Sequence, residues 1–225
     1  MSTLEWIAAY IELLPILVFL IFIKQKVKLE RPLWVILFYS AYSFLNNLKV
    51  AYNYLNGKNS LLYLYIFTIV EYSLFALFIY MILQKAYLKR ALLICSILFI
   101  PFCLFNILFQ PTYEFDSLQA SIESLIIIIF CILYLFEEIN KLQVTLIYAS
   151  YKFWIISGIL VCLAITFFLY SFAASMPEET SDRYWFISNY GNILKNILFA
   201  IAFLNYAKAS GTQKPIESDY RPFLN

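Results

Sequence analysis

Apolar residues run along this chain in seven long blocks separated by short polar joints. The blocks cover residues 4–23, 33–54, 61–83, 91–109, 118–136, 153–174 and 185–207. The hydrocarbon core of a bilayer takes roughly 20 apolar residues of helix. The pattern therefore predicts an all-α, polytopic membrane protein, a seven-transmembrane-helix bundle forming one domain over 1–207 with a short polar tail over 208–225. Short joints make consecutive helices antiparallel neighbours. Pro15 and Pro101 fall inside the first and fourth blocks, where each predicts a kink. No internal repeat of the inverted-transporter kind stands out.

Composition supports the membrane class and removes several chemistries. Of 225 residues, 63% are hydrophobic, 20% aromatic and 13% charged, against about 25% charged in ordinary soluble domains. A net charge of +2 gives no basic surface for nucleic acid. There is no histidine, which excludes a Ser–His nucleophile pair, a His-ligated zinc or haem and a histidine phosphoacceptor. Cys95, Cys103, Cys131 and Cys162 all lie within apolar blocks and lack C-x-x-C spacing. They read as buried free thiols acting as small hydrophobes. No metal or cofactor is expected.

The joints set the orientation. Lys24, Lys26, Lys28, Arg31, Lys85, Lys89, Arg90, Lys141, Lys152, Lys208, Lys214 and Arg221 share one side, and Lys58 and Arg183 lie on the other. The second side carries Glu114, Asp116, Glu178, Glu179 and Asp182. The positive-inside rule then places the N-terminus outside and the C-terminus in the cytoplasm, as a multi-pass protein of the inner (cytoplasmic) membrane. The first block is no cleavable signal, because its positive charges follow it. The longest joint, 137–152, contains an apolar stretch over 142–148 suited to lying along the interface. The tail is too short to fold alone. Function is thus expected in the bundle or through a partner.

Charged residues inside the blocks are the candidate chemistry. They are Glu12, Lys49, Glu71, Glu123 and Lys195. Each costs about 2.5–3.5 kcal/mol at mid-bilayer, so such residues turn inward and find partners. Counted from the outer ends, Glu71 and Lys195 sit roughly 15 Å deep, and Lys49 and Glu123 roughly 8 Å. Matched depth and opposite sign predict two ion pairs, Glu71–Lys195 and Lys49–Glu123, with Glu12 left over. Asn189, Asn192 and Asn196 form one polar stripe beside Lys195, while Ser43, Asn46 and Asn47 precede Lys49. Gln119 lies one turn before Glu123, and Asn106 marks the outer part of the fourth block. The inner halves contain no Asp, Glu, Lys or Arg. An outward-facing polar pocket above an apolar inner plug follows, with binding residues Glu71, Lys195, Lys49, Glu123, Glu12, Asn192, Asn196, Asn46 and Asn47. Buried ion pairs and asparagines also join membrane helices as plain structural contacts. The aromatic residues are expected mostly at lipid or interface, as Trp6, Trp34, Trp154 and Trp185 near block ends suggest.

Several functions fit this layout. A sensory or signalling receptor would bind a small ligand from outside and act through a separate partner, such as a kinase, at the basic cytoplasmic joints. A small-solute or proton-coupled transporter would use the buried carboxylates, but the inner half offers it no polar access. A retinal photoreceptor shares the plan of seven spans with a lysine in the last and a carboxylate in the third. The arginine and aromatic context expected around that carboxylate is missing, and Gly191 stands where an aspartate is expected. A structural subunit of a membrane complex is a further reading. No catalytic constellation marks an enzyme.

The blocks Tyr151-Lys152-Phe153-Trp154-Ile155-Ile156-Ser157-Gly158-Ile159-Leu160 and Asn192-Ile193-Leu194-Lys195-Asn196-Ile197-Leu198-Phe199 resemble a family of small, uncharacterised seven-helix integral membrane proteins of Bacteroidota. Glu123-Ser124 and Phe136-Glu137-Glu138 are similar too, so the resemblance covers most of the second half. It implies a sensor-like module working beside two-component kinases and brings no established activity.

Overall fold

A computed structural model describes residues 3–23, 29–109, 117–141, 147–173 and 178–212, and every regular element among them is helical. In chain order these are α1 (Thr3–Tyr10), α2 (Leu14–Ile23), α3 (Arg31–Leu55), α4 (Leu61–Ile82), α5 (Ala86–Phe109), α6 (Ser117–Ile139), α7 (Tyr151–Ala173) and α8 (Glu178–Thr212). Single 3-10 turns lie at Ile11–Leu13 and Ile147–Ala149.

The first turn follows from Pro15. In an α-helix the carbonyl of Ile11 would accept from residue 15, but proline has no N–H to give. The N–H of Leu14 takes that carbonyl instead, which tightens the backbone into the 3-10 turn between α1 and α2. Pro101 acts differently, since α5 continues through it. At the α3–α4 joint, Gly57 adopts φ 61°, Gly57 N–H bonds Tyr54 O (3.2 Å) and Lys58 N–H bonds Asn53 O (2.9 Å). This Schellman arrangement satisfies the last carbonyls of α3 and reverses the chain.

Several helices overrun the blocks expected from the sequence. α5 starts at Ala86 rather than 91, α6 reaches Ile139 rather than 136, and α8 extends from Glu178 to Thr212 rather than over 185–207. An apolar block ends where charge begins, whereas a helix ends where its backbone bonds are interrupted. Lys89, Arg90, Glu137 and Lys208 are therefore helical. The first residues of the expected tail, 208–212, belong to α8. Lys24, Lys26, Lys28, Glu114, Asp116, the stretch 142–146 and the tail beyond 212 lie outside the described residues.

Five helices are long and apolar enough to cross a membrane: Leu61–Ile82, Ala86–Phe109, Leu118–Ile139, Tyr151–Leu169 and Ile187–Ser210. Along α5, Ile94, Ile97, Leu98, Leu104, Phe105 and Leu108 are all exposed, a continuous apolar surface that water would not tolerate. This is a membrane protein. The first helix falls short as the apolar segment Trp6–Ile21. α3 has 25 residues and reaches about 37 Å, but Ser40, Ser43, Asn46 and Asn53 lower its apolarity, and all four are buried.

Packing closes the helices into a ring. α8 packs most extensively against α7, α7 against α6, α6 against α4 and α4 against α3, and α1 and α2 close the ring between α3 and α8. α5 sits outside, against α4 and α6. Inside the ring Tyr39, Phe75 and Phe199 form the aromatic centre, with Tyr39–Phe75 centroids 4.5 Å apart and Tyr39–Phe199 edge-on at 6.3 Å. Helices α7 and α8 approach closely at Gly158 of α7. A Cβ there would lie 3.1 Å from the Phe199 ring and 3.2 Å from the carbonyl oxygen of Lys195.

Candidate functional site

Tyr39, Ser43 and Asn46 recur along one buried face of α3, and Asn192, Lys195, Asn196 and Phe199 recur along the face of α8 that meets the bundle. Glu12 enters from the 3-10 turn and Glu71 from α4. Four segments distant in sequence thus deliver their polar side chains to one level of the ring.

The expected pair Glu71–Lys195 forms, and a third residue mediates it. Lys195 Nζ lies 3.9 Å from Glu71 Oε1. Between them, Lys195 Nζ donates to Tyr39 Oη (2.5 Å), and Tyr39 O–H donates to Glu71 Oε1 (2.6 Å). α4 and α8 are not packing neighbours, so the charges reach toward each other across the ring and the phenol of α3 fills the gap. Lys195 is 4% exposed.

Glu12, expected to be left over, has its own partners. Its Oε1 accepts from Ser43 Oγ (2.8 Å) and from Asn192 Nδ2 (3.0 Å). Asn192 Nδ2 also reaches Ala8 O (3.2 Å), tying α8 to α1. One turn on, Asn196 Nδ2 donates to Asn192 O (2.9 Å) and Oδ1 (3.1 Å). Glu12 is 2% exposed and sits within electrostatic reach of Lys195 and Glu71. The result is a polar cluster spanning α1, the 3-10 turn, α3, α4 and α8.

The second expected pair is not made. Lys49 is exposed and its ammonium lies 5.4 Å from the ring centroids of Tyr52 and Tyr63. Glu123 is 3% exposed and within electrostatic reach of Lys195. Equal depth therefore did not mean equal facing: Lys49 points away from the bundle, where aromatic faces stabilise its charge. Asn46 is buried and Asn47 half-buried, and the described contacts of the cluster include neither. Near Glu123, Gln119 Nε2 donates weakly to Cys103 O (3.4 Å) between α6 and α5, and Tyr72 shares a hydrogen bond with Ser96 (3.0 Å).

Residue pattern alone missed three features. Tyr39 belongs to the aromatic residues expected mostly at lipid or interface, yet it lies at the centre of the charge network; its spacing of four residues from Ser43 is the available signal. Glu137 is buried at the end of α6, and its two oxygens accept from Gln84 N–H (3.0 Å) and Lys85 N–H (2.8 Å). This carboxylate staples the α4–α5 turn to α6, a buried charge that the sequence pattern left out. The cause is the span end set at 136, one residue short. Similarly, Tyr151 O–H donates to Glu30 Oε2 (2.6 Å) and its ring meets Tyr206 edge-on at 5.3 Å.

Cys103, Cys131 and Cys162 are buried and Cys95 partly so, and none of the four forms a disulfide. Among the described residues no group of three or more His, Cys, Asp or Glu side chains is arranged to hold a metal ion. Compared with models of protein families, with curated proteins and with solved structures, the chain matches none of them.

Proposed function

We propose that the chain is a seven-span protein of the inner (cytoplasmic) membrane, with its N-terminus outside, and a receptor-like signalling module whose working part is the buried charge cluster. The helix formed by α1 and α2, together with α3, supplies the two spans beyond the five that apolarity alone identifies. A small ligand entering from the outer side displaces the Tyr39 contact at Lys195 or Glu71. The response passes to a separate partner, such as a kinase, at the basic inner joints.

One observation carries this reading. Lys195, Asn192 and Asn196 all sit on α8, a single 35-residue helix that packs against α1, α2 and α7. A change of partner at Lys195 is felt along a continuous rod whose far end bears Lys208. Photocrosslinkers placed at Asn140 and Lys208 in the native membrane test it. A discrete partner is expected at both sites, with a yield that changes in Lys195→Met and Glu71→Gln while membrane insertion does not. Normal partner yield in both variants would sink the proposal.

A carrier is the second reading, favoured by the position of Glu12 at an interrupted helix, a common setting for ion sites in transporters. Proteoliposome flux that disappears in Glu71→Gln would establish it instead.

A further inference from the structure

The two oxygens of Glu12 are not equivalent. Oε1 accepts from both Ser43 and Asn192, while Oε2 is buried with no hydrogen-bond partner. A carboxylate spreads its charge over both oxygens, and leaving one bare in an apolar interior is costly. A carboxylic acid fits this asymmetry better: its carbonyl oxygen gathers the donors, and a neutral hydroxyl without a partner costs less than a bare ionised oxygen.

Burial leads the same way, and the charges around Glu12 offset it only in part. The groups facing Glu12 are Lys195 and Asn192 from α8, Glu71 from α4, Tyr39 and Ser43 from α3, and Cys162 from α7. Lys195 is the cation within this set, and through Tyr39 it is engaged by Glu71. One ammonium cannot neutralise two carboxylates in a low-dielectric interior.

We propose that Glu12 is a proton-binding site, holding an exchangeable proton on Oε2 in the arrangement described. Release converts the Glu12 acid to a carboxylate, and the proton leaves to water. Lys195 keeps its own protons and changes partner from Tyr39 and Glu71 toward Glu12. Proton occupancy thereby decides which carboxylate holds α8, at the junction where α1 and α2 meet. A metal ion is a poorer occupant. Ser43 and Asn192 turn O–H and N–H toward Glu12 rather than lone pairs, and the Lys195 charge opposes a second cation. The inference stands apart from the signalling proposal and needs no partner protein.

Infrared difference spectroscopy of the full chain in lipid nanodiscs tests it, because a protonated carboxyl absorbs apart from carboxylate bands. At neutral pH the wild type is expected to show such a band, which weakens as pH rises. Glu12→Gln should abolish it. Ser43→Ala should move it to higher frequency, since the carbonyl loses a donor. Absence of the band in the wild type, or its persistence unmoved in both variants, overturns the proposal. Should Glu12→Gln fail to fold, the Ser43→Ala spectrum decides alone, and an unshifted band is fatal. Loss of the band when sodium replaces choline at fixed pH would assign the site to a metal cation and overturn the proton.

Discussion

The phenol oxygen of Tyr39 accepts from Lys195 and donates to Glu71, so Tyr39→Phe deletes both contacts while keeping the ring against Phe75. Hydrogen bonds to charged groups contribute about 1.5–3 kcal/mol, and a loss of that order is expected in reversible unfolding from mixed micelles. Lys195→Met is more severe, because it strips the cation from a buried cluster, at about 3–5 kcal/mol. Adding Glu71→Gln to Lys195→Met should recover part of that loss, since the double variant leaves Glu71 without an unpaired charge. A double variant less stable than Lys195→Met alone would show that the two side chains do not act as a pair. At this scale the sequence was partly legible. Opposite sign at equal depth located Glu71 and Lys195, but the same rule failed for Lys49 and Glu123 because depth says nothing of helix rotation.

Among the elements, the α7–α8 contact depends on Gly158. A Cβ there sits 3.1 Å from Phe199 and 3.2 Å from the Lys195 carbonyl, so a neighbour has to give way. Gly158→Ala is expected to cost about 1–3 kcal/mol through overpacking, and Gly158→Val more, because its branched side chain drives α8 away from α7. Unfolding titrations that leave Gly158→Val at wild-type stability would contradict this contact. The α4–α5 turn offers a second check. Glu137→Ala removes both acceptors of the Gln84 and Lys85 N–H groups, whereas Glu137→Gln keeps one oxygen to accept. Amide exchange at Gln84 and Lys85 should rise in the order wild type, Gln, Ala. Equal exchange in all three would mean that water replaces the carboxylate freely.

For the whole molecule, the proposed topology rests on the charge distribution among the joints. Lys58 lies in the α3–α4 turn and Lys208 near the end of α8, on opposite sides in the proposed seven-span arrangement. In intact cells a membrane-impermeant thiol reagent should label Lys58→Cys, and Lys208→Cys only after permeabilisation. The four native thiols are buried or partly so and give little background. Labelling of both sites from outside would remove the seven-span arrangement. The position of α5 outside the ring belongs to this scale as well. Beyond Arg90 in its first turns, its exposed positions from Leu93 to Phe109 bear apolar side chains, as lipid contact requires.

From the sequence alone came the membrane class, the helical blocks, the interruption near Pro15 and most of the polar cluster. These are one-dimensional properties: burying apolar runs requires a bilayer, proline lacks a donor, and ionisable groups in apolar runs are too costly to scatter. Tertiary structure decided the rest. It set which helices meet, so that Tyr39 bridges Glu71 to Lys195, Lys49 turns to aromatic rings, and Glu12 gains Ser43 and Asn192. It also ran the helices past the ends of their apolar blocks and buried Glu137 against the α4–α5 turn. Partners drawn from distant segments depend on the rotation and packing of whole helices, which no local pattern contains.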